Sequence, residues 1–158
     1  MSTSVVFAAR NSVLSLITTA LAAQNVDVVG GSKPVATGYD TVYVGADDLT
    51  EELNWQGWVN AAEANQDWHS NRSRLEDFTV KCVALSWSGA GDFETLYSTM
   101  ATYMGLIEAS VLTNWSLNLP SVSSTEAGMV VVGVDQTAAT AGVALKCRFE
   151  VRGIARVS

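Results

Sequence analysis

The sequence has little of what metal binding and nucleophilic catalysis require. It contains one histidine, His69, and two cysteines, Cys82 and Cys147. Zinc sites draw on several His and Cys ligands, and His-dependent catalysis needs a partner at a suitable spacing, which His69 lacks. We interpret His69 as an ordinary loop or interface residue. The cysteines lie in separate strand-like patterns without a CxxC, which is typical of buried thiols, and a disulfide requires that their strands be neighbours.

Nucleotide-binding and hydrolase motifs are also missing. GxxxxGK[ST] does not occur, Gly89-Ala90-Gly91 does not continue into GxGxxG, and Ser88 lacks the preceding glycine of a nucleophile elbow. The acidic pairs Asp47-Asp48 and Glu51-Glu52 do not form a DxDxDG calcium loop. We therefore expect no catalytic residue, no metal and no cofactor, and no enzymatic activity.

Charged residues are scarce and mostly acidic. Nine Lys and Arg stand against sixteen Asp and Glu, a formal charge of -7, whereas wrapping nucleic acid needs clustered cations. No apolar run approaches the roughly 18 residues of a membrane span, so we expect no membrane partner. With 158 residues, the chain suits a single domain, 1–158, with a buried core.

The charges are unevenly placed. Nine of the sixteen acids lie between Asp40 and Asp77, whereas the C-terminal part carries four of the nine cations: Lys146, Arg148, Arg152 and Arg156. These groups are either two solvated faces or complementary patches between neighbouring copies in a head-to-tail ring.

The stretch from Leu75 to Val111 organises the chain. Alternating side chains through Trp87 predict a strand, and Gly89-Ala90-Gly91 predicts a turn. Asp92 is a candidate helix N-cap. Apolar residues then recur every three or four positions, predicting a helix with this stripe: Phe93, Leu96, Tyr97, Met100, Tyr103, Met104, Ile107 and Val111.

The remaining chain predicts a second helix and further strands. A stripe of apolar residues predicts a helix over Ser4–Ala23, and short strands are expected at 26–29 and 41–45. After the central helix we predict a strand at 115–119, a turn at 121–125, a buried strand at 128–134, a loop at 135–142 and an alternating strand at 143–157. The predicted class is α+β: an antiparallel sheet with two long helices packed on one face.

The region around 46–71 has no sustained period and predicts an extended polar arm or long loop. It holds three of the five tryptophans, Trp55, Trp58 and Trp68. Tryptophan is favoured at interfaces, but these rings are equally compatible with folding back on the domain's own core. The candidate interface set therefore joins the three tryptophans with charged residues from both regions: Asp47, Asp48, Glu51, Glu52, Arg72, Arg74, Lys146, Arg148, Arg152 and Arg156.

The order of elements resembles a known family. An N-terminal helix, a VYVG strand and a Trp-containing arm precede the pattern Arg72-x-Arg74-x-Glu76-x-Phe78-x-Val80-x-Cys82, then Trp87-Ser88-Gly89, a helix and the closing strand. Across most of the chain this is similar to the tail terminator proteins of long-tailed phages and prophages of actinobacteria.

The resemblance implies a structural virion protein, made in the bacterial cytoplasm, that forms a hexameric ring on the head-proximal end of the tail tube. Its partners would be the tail tube protein on one side and a head-completion (stopper) protein on the other. Genomic DNA would pass through the channel without specific binding. The alternatives are another neck or tail component, such as a stopper or tube protein, a small-ligand binding module, or an enzyme using only carboxylates and hydroxyls.

Overall fold

The computed structural model describes residues 4–31, 40–47, 59–70, 73–89, 92–119 and 122–157. They form two helices, α1 (Val5–Ala20) and α2 (Phe93–Thr113), and six strands: β1 (Val26–Gly30), β2 (Asp40–Val44), β3 (Ala62–Ser70), β4 (Ser73–Ser88), β5 (Val122–Ala139) and β6 (Gly142–Val157). The class is α+β, as the sequence predicts.

The six strands form one mixed sheet. Its order is β1-β2-β4-β6-β5, with β3 paired to the N-terminal half of β4. The prediction of an antiparallel sheet is wrong at one edge, because β1 runs parallel to β2. Alternation along a strand reports which face is buried and carries no information about the direction of the neighbouring strand.

The helices begin where capping chemistry places them. Ser4 caps α1, its hydroxyl accepting from the Val6 amide at 3.3 Å. Asp92 caps α2, as predicted, with Oδ1 accepting from the Glu94 and Thr95 amides at 3.0 and 3.3 Å. The Thr95 hydroxyl also donates to Oδ2 of Asp92, and this bond, followed by the amide bonds, lowers the pKa of the Asp92 carboxyl. The polar side chains therefore fix the first turn of each helix.

One hydrophobic core joins both helices to alternate residues of the sheet. Six residues of the predicted α2 stripe are buried; Phe93 is half-buried and Tyr97 is exposed. The predicted inward face of β6 is buried from Val143 to Val157, apart from half-buried Gly153. Among the described helices, none has the length and apolarity to cross a membrane.

Parts of three predicted connections are strands, and one predicted strand is a turn. Residues 62–70 of the proposed arm form β3, because β4 supplies a hydrogen-bonding partner for this polar segment. Residues 122–125 and 135–139, predicted as turn and loop, belong to β5 and pair with β6. The segment predicted as a strand at 115–119 instead contains a turn, with Leu117 and Asn118 at positive φ.

Candidate interaction surface

The predicted C-terminal cations lie on the face of β6 opposite the core, and two of them have acidic partners within the subunit. Arg148 Nε lies 3.3 Å from Oδ2 of Asp135 on β5. Arg152 Nε lies 2.6 Å from Oε2 of Glu150 on its own strand. Lys146 and Arg156 share that side of the strand and also have interactions. The basic strand is therefore partly neutralised before any neighbour is added.

Further ion pairs extend across this side of the sheet. Lys81 Nζ on β4 lies 3.6 Å from Oε1 of Glu150 and 3.8 Å from Oε1 of Glu63 on β3. Acidic and basic side chains thus alternate from β3 to β5, which leaves no block of one sign in this row. The exposed pairs of this row, such as Arg148–Asp135, contribute about 1 kcal/mol or less each, whereas Lys81 and Glu150 are half-buried.

Arg74, a predicted interface residue, lies inside the subunit. Its guanidinium is buried, and Nε is 3.4 Å from Oε2 of the fully buried Glu76. Glu76 also accepts hydrogen bonds from the Ser4 hydroxyl and from Gln66 Nε2, the latter at 3.1 Å. This cluster ties the start of α1 to β3 and β4. These contacts give Arg74 a structural role within the subunit.

The acidic arm is only partly within the described residues. Asp47 is exposed and borders a groove of about 230 Å³ that is also lined by Lys81, Val132 and Arg148. Trp68 lies in β3. The remaining interface candidates of the arm, and Arg72 just after it, fall outside the described ranges: Asp48, Glu51, Glu52, Trp55, Trp58 and Arg72.

The most exposed apolar strand was missed by sequence reasoning. The segment predicted as a buried strand, 128–134, is the middle of edge strand β5, and four of its valines are 40–47% exposed: Val130, Val131, Val132 and Val134. The run GMVVVGV is the signal, but a valine run is equally typical of a buried central strand. Only the position of β5 at the end of the sheet decides between the two.

These valines occupy both faces of β5. Val131 pairs with Phe149 and Val134 with Cys147, both on the core side of β6. Val130 pairs with Glu150, on the opposite side. The register shifts between Val131 and Gly133. These two residues pair with the consecutive residues Phe149 and Arg148 of β6, and Val132 between them has no pairing partner on β6. An edge strand that is apolar on both sides is suited to contact another molecule.

The two cysteines lie on neighbouring strands and are free thiols. Cys82 pairs with Phe149, two residues from Cys147 along β6. Burial raises the pKa of Cys82 to about 12 and also raises the pKa of Cys147. Both thiols therefore stay protonated near neutral pH, which makes them poor nucleophiles and poor metal ligands.

Other exposed apolar side chains lie outside β5. Trp87 is 52% exposed on β4 and Ile154 is 52% exposed on β6. Phe7 on α1, Leu112 on α2 and Trp115 just after α2 are similarly exposed.

Within the described part of the chain, no group of three or more His, Cys, Asp or Glu is placed to hold a metal. No family model matches the sequence, and no curated protein matches it.

Proposed function

We propose that this chain is a structural component of a phage tail, a tail terminator that forms a hexameric ring on the head-proximal end of the tail tube. In this role it stops tube growth and presents a surface to the head-completion protein. The proposal joins the family resemblance of the sequence to one structural observation. That observation is the half-exposed run of valines on edge strand β5.

An exposed edge strand of this composition favours self-association. Unpaired backbone groups at a sheet edge are a template for another strand, and apolar side chains on both faces add area to bury. Soluble monomers usually protect such edges with lysine, proline or a β-bulge. β5 has an irregularity between Val131 and Gly133 but neither lysine nor proline, and its valines remain 40–47% exposed.

The arrangement of layers supports the same role. We propose that both helices cover one face of the sheet, because their buried residues share one core with the inward side chains of β4 and β6. The opposite face then carries the row of ion pairs from Glu63 to Asp135. With a formal charge of -7, a ring of such subunits would repel DNA rather than bind it, as passage through a channel requires.

The proposed virion role is tested by assembly. Six copies of 16.8 kDa give a particle of roughly 100 kDa, which light scattering and negative-stain microscopy distinguish from a monomer or dimer. Rings with a central hole that cap preformed tail tubes and stop their growth are the expected result. The assay includes tubes because a terminator can remain monomeric until it meets one.

The alternatives give different images. Stacking of the purified chain into long tubes identifies a tube protein. Binding to head-completion particles without any effect on tube length identifies a stopper. A particle that stays monomeric with tubes present and leaves their growth unchanged contradicts the terminator role, and favours a binding module or an enzyme.

A further inference from the structure

We propose that β5 of one copy pairs with β1 of a second copy, so that the sheet continues from subunit to subunit. The two strands are the opposite ends of the strand order β1-β2-β4-β6-β5. The inference rests on the self-association proposed above and names the surfaces that carry it. Such a contact is heterologous, because each copy contributes a different edge.

β5 has the properties of an edge that gains from being covered. Val130, Val131, Val132 and Val134 are 40–47% exposed on a strand paired only on its β6 side within the described residues. The strand has no cation: its charged residues are Glu126 and Asp135. A partner edge should therefore be apolar and should add as little negative charge as possible.

Charge distinguishes the partner edge. β3 carries Glu63 and Asp67 and no lysine or arginine, so its pairing with β5 would bring acids together. A second β5 would do the same, because it doubles the two acids already present. Like charges facing each other across an interface are unfavourable.

Among the described strands β1 is paired only with β2, and it is the edge that best complements β5. It reads VDVVG, with three valines and one acid, and has the same length as the exposed stretch 130–134. Its C-terminal end lies against a cation: a Cβ on Gly30 would be 2.5 Å from Arg10 Nη2. Arg10 offsets the single acid of β1, Asp27, whereas β3 or a second β5 would each bring two acids to the contact.

The symmetry of this contact fits a ring. Pairing identical edges, β5 with β5, would close after two copies, whereas pairing β5 with β1 leaves one free edge at each end of any chain of subunits. The assembly then closes when the rotation between copies divides a full turn. A hexamer requires about 60° per subunit.

Variants that each carry one added cysteine test which edges meet. Val132→Cys places a thiol on β5, and Asp27→Cys places one at an exposed position of β1. The native Cys82 and Cys147 are buried and provide a low background. A short bismaleimide reaches both the direct neighbours of a strand pair, about 5 Å apart, and the diagonal ones, about 8 Å apart.

Mixing the two variants is expected to give a covalent dimer that neither gives alone. Leu112→Cys, 62% exposed on α2, is the matched control and should give no product with either variant. A chain carrying both edge cysteines should give a ladder ending at the size of the ring. Dimers from Val132→Cys alone, or no mixed product at the highest soluble concentration, would overturn the β5–β1 pairing.

A charged edge provides a second test. Val130→Lys with Val132→Lys should reduce association at least tenfold, while Leu112→Lys leaves it unchanged, and circular dichroism checks that both variants fold. Equal association of the two variants contradicts the proposal.

The outcomes also distinguish the edge pairing from the terminator role. Rings that form without the mixed crosslink reject the edge pairing and retain the terminator role. The mixed crosslink in a particle that never caps tubes rejects the role and retains the pairing.

Discussion

The Tyr103 hydroxyl donates a hydrogen bond to Oδ2 of Asp40 over 2.5 Å. Oδ1 of the same carboxylate accepts from the Trp87 amide at 3.3 Å. One aspartate thus links α2, the first residue of β2 and the end of β4. Burial, followed by the contact with Asp40, raises the pKa of Tyr103, so that the phenol remains a donor across the neutral range.

Tyr103→Phe should reduce the free energy of unfolding by about 1–3 kcal/mol, because a hydrogen bond to a charged acceptor is lost. Tyr97→Phe is the matched control: its hydroxyl donates to Gln136 Oε1 at 2.9 Å, but the side chain is 46% exposed. Its loss should be smaller, under about 1 kcal/mol. Urea denaturation measures the free energy of unfolding of both variants. Equal losses would show that the hydrogen bond from Tyr103 to Asp40 stabilises the fold no more than the exposed bond from Tyr97 to Gln136.

The core half of the fold was predictable because its signals are local. The α2 stripe and the Asp92 cap depend on residues within one helix, and the alternation of β6 from Val143 to Val157 depends on one strand. Each pattern reports burial on one side of a single element. A sequence suffices for such features.

The edges of the sheet were not predictable because their structure depends on partners. The acids and amides of β3 form a strand through pairing with β4, and Gln136–Ala139 of β5 through pairing with β6. In the opposite direction, Trp115–Leu119 alternates like a strand but turns, with the Leu117 carbonyl accepting from Ser12 Oγ at 2.7 Å. The structure adds the valines of β5 to the charged residues and tryptophans that the sequence proposed for the interface.

A close contact between Phe78 and Gly153 makes a sharp stability prediction. The two residues pair across β4 and β6, and a Cβ added to Gly153 would meet the end of the Phe78 ring and lie 2.8 Å from the Glu126 carbonyl oxygen. Gly153→Ala should therefore destabilise the protein by about 1–3 kcal/mol through overpacking.

Gly105 offers the matched glycine control for that variant. It lies in α2, and a Cβ there meets nothing within 4 Å. Gly105→Ala should raise the free energy of unfolding by about 0.5–1 kcal/mol, because alanine loses less backbone entropy in a helix. Thermal melting compares the two substitutions, and shifts of the same sign would contradict the packing described around Gly153.

Charge reversal on β6 tests the complementarity predicted from the sequence. Arg148→Glu with Arg152→Glu should weaken the proposed ring, most visibly at low salt, where screening is least. Each arginine also has an internal partner, Asp135 or Glu150, so the variant disturbs the subunit as well.

A swap separates the two effects. Arg148→Glu with Asp135→Arg exchanges the signs of one internal pair and leaves Glu150, which also pairs with Lys81, unchanged. If Arg148 faces a neighbour, sedimentation should still show a weaker ring at low salt than the native chain forms. Full recovery of assembly by the swap would reject a contact between subunits through Arg148, and unchanged assembly of the double variant at every salt concentration would reject such contacts through both arginines.

The buried thiol of Cys82 predicts loss of stability in alkali. Its pKa is raised from 9.0 to about 12 by burial, so between these values the unfolded chain releases a proton that the folded chain retains. Unfolding is then favoured as pH rises: the stabilisation is complete below about pH 9 and falls by about 1.4 kcal/mol per pH unit above it. The raised pKa values of Cys147 and Tyr103 act in the same direction.

Urea denaturation at a series of pH values should show this decline in stability. Cys82→Ala should make the decline shallower, and it should also lower stability at pH 7 through lost packing. A slope above pH 9 that is identical in the variant would mean that Cys82 ionises in the folded protein as easily as in the unfolded chain.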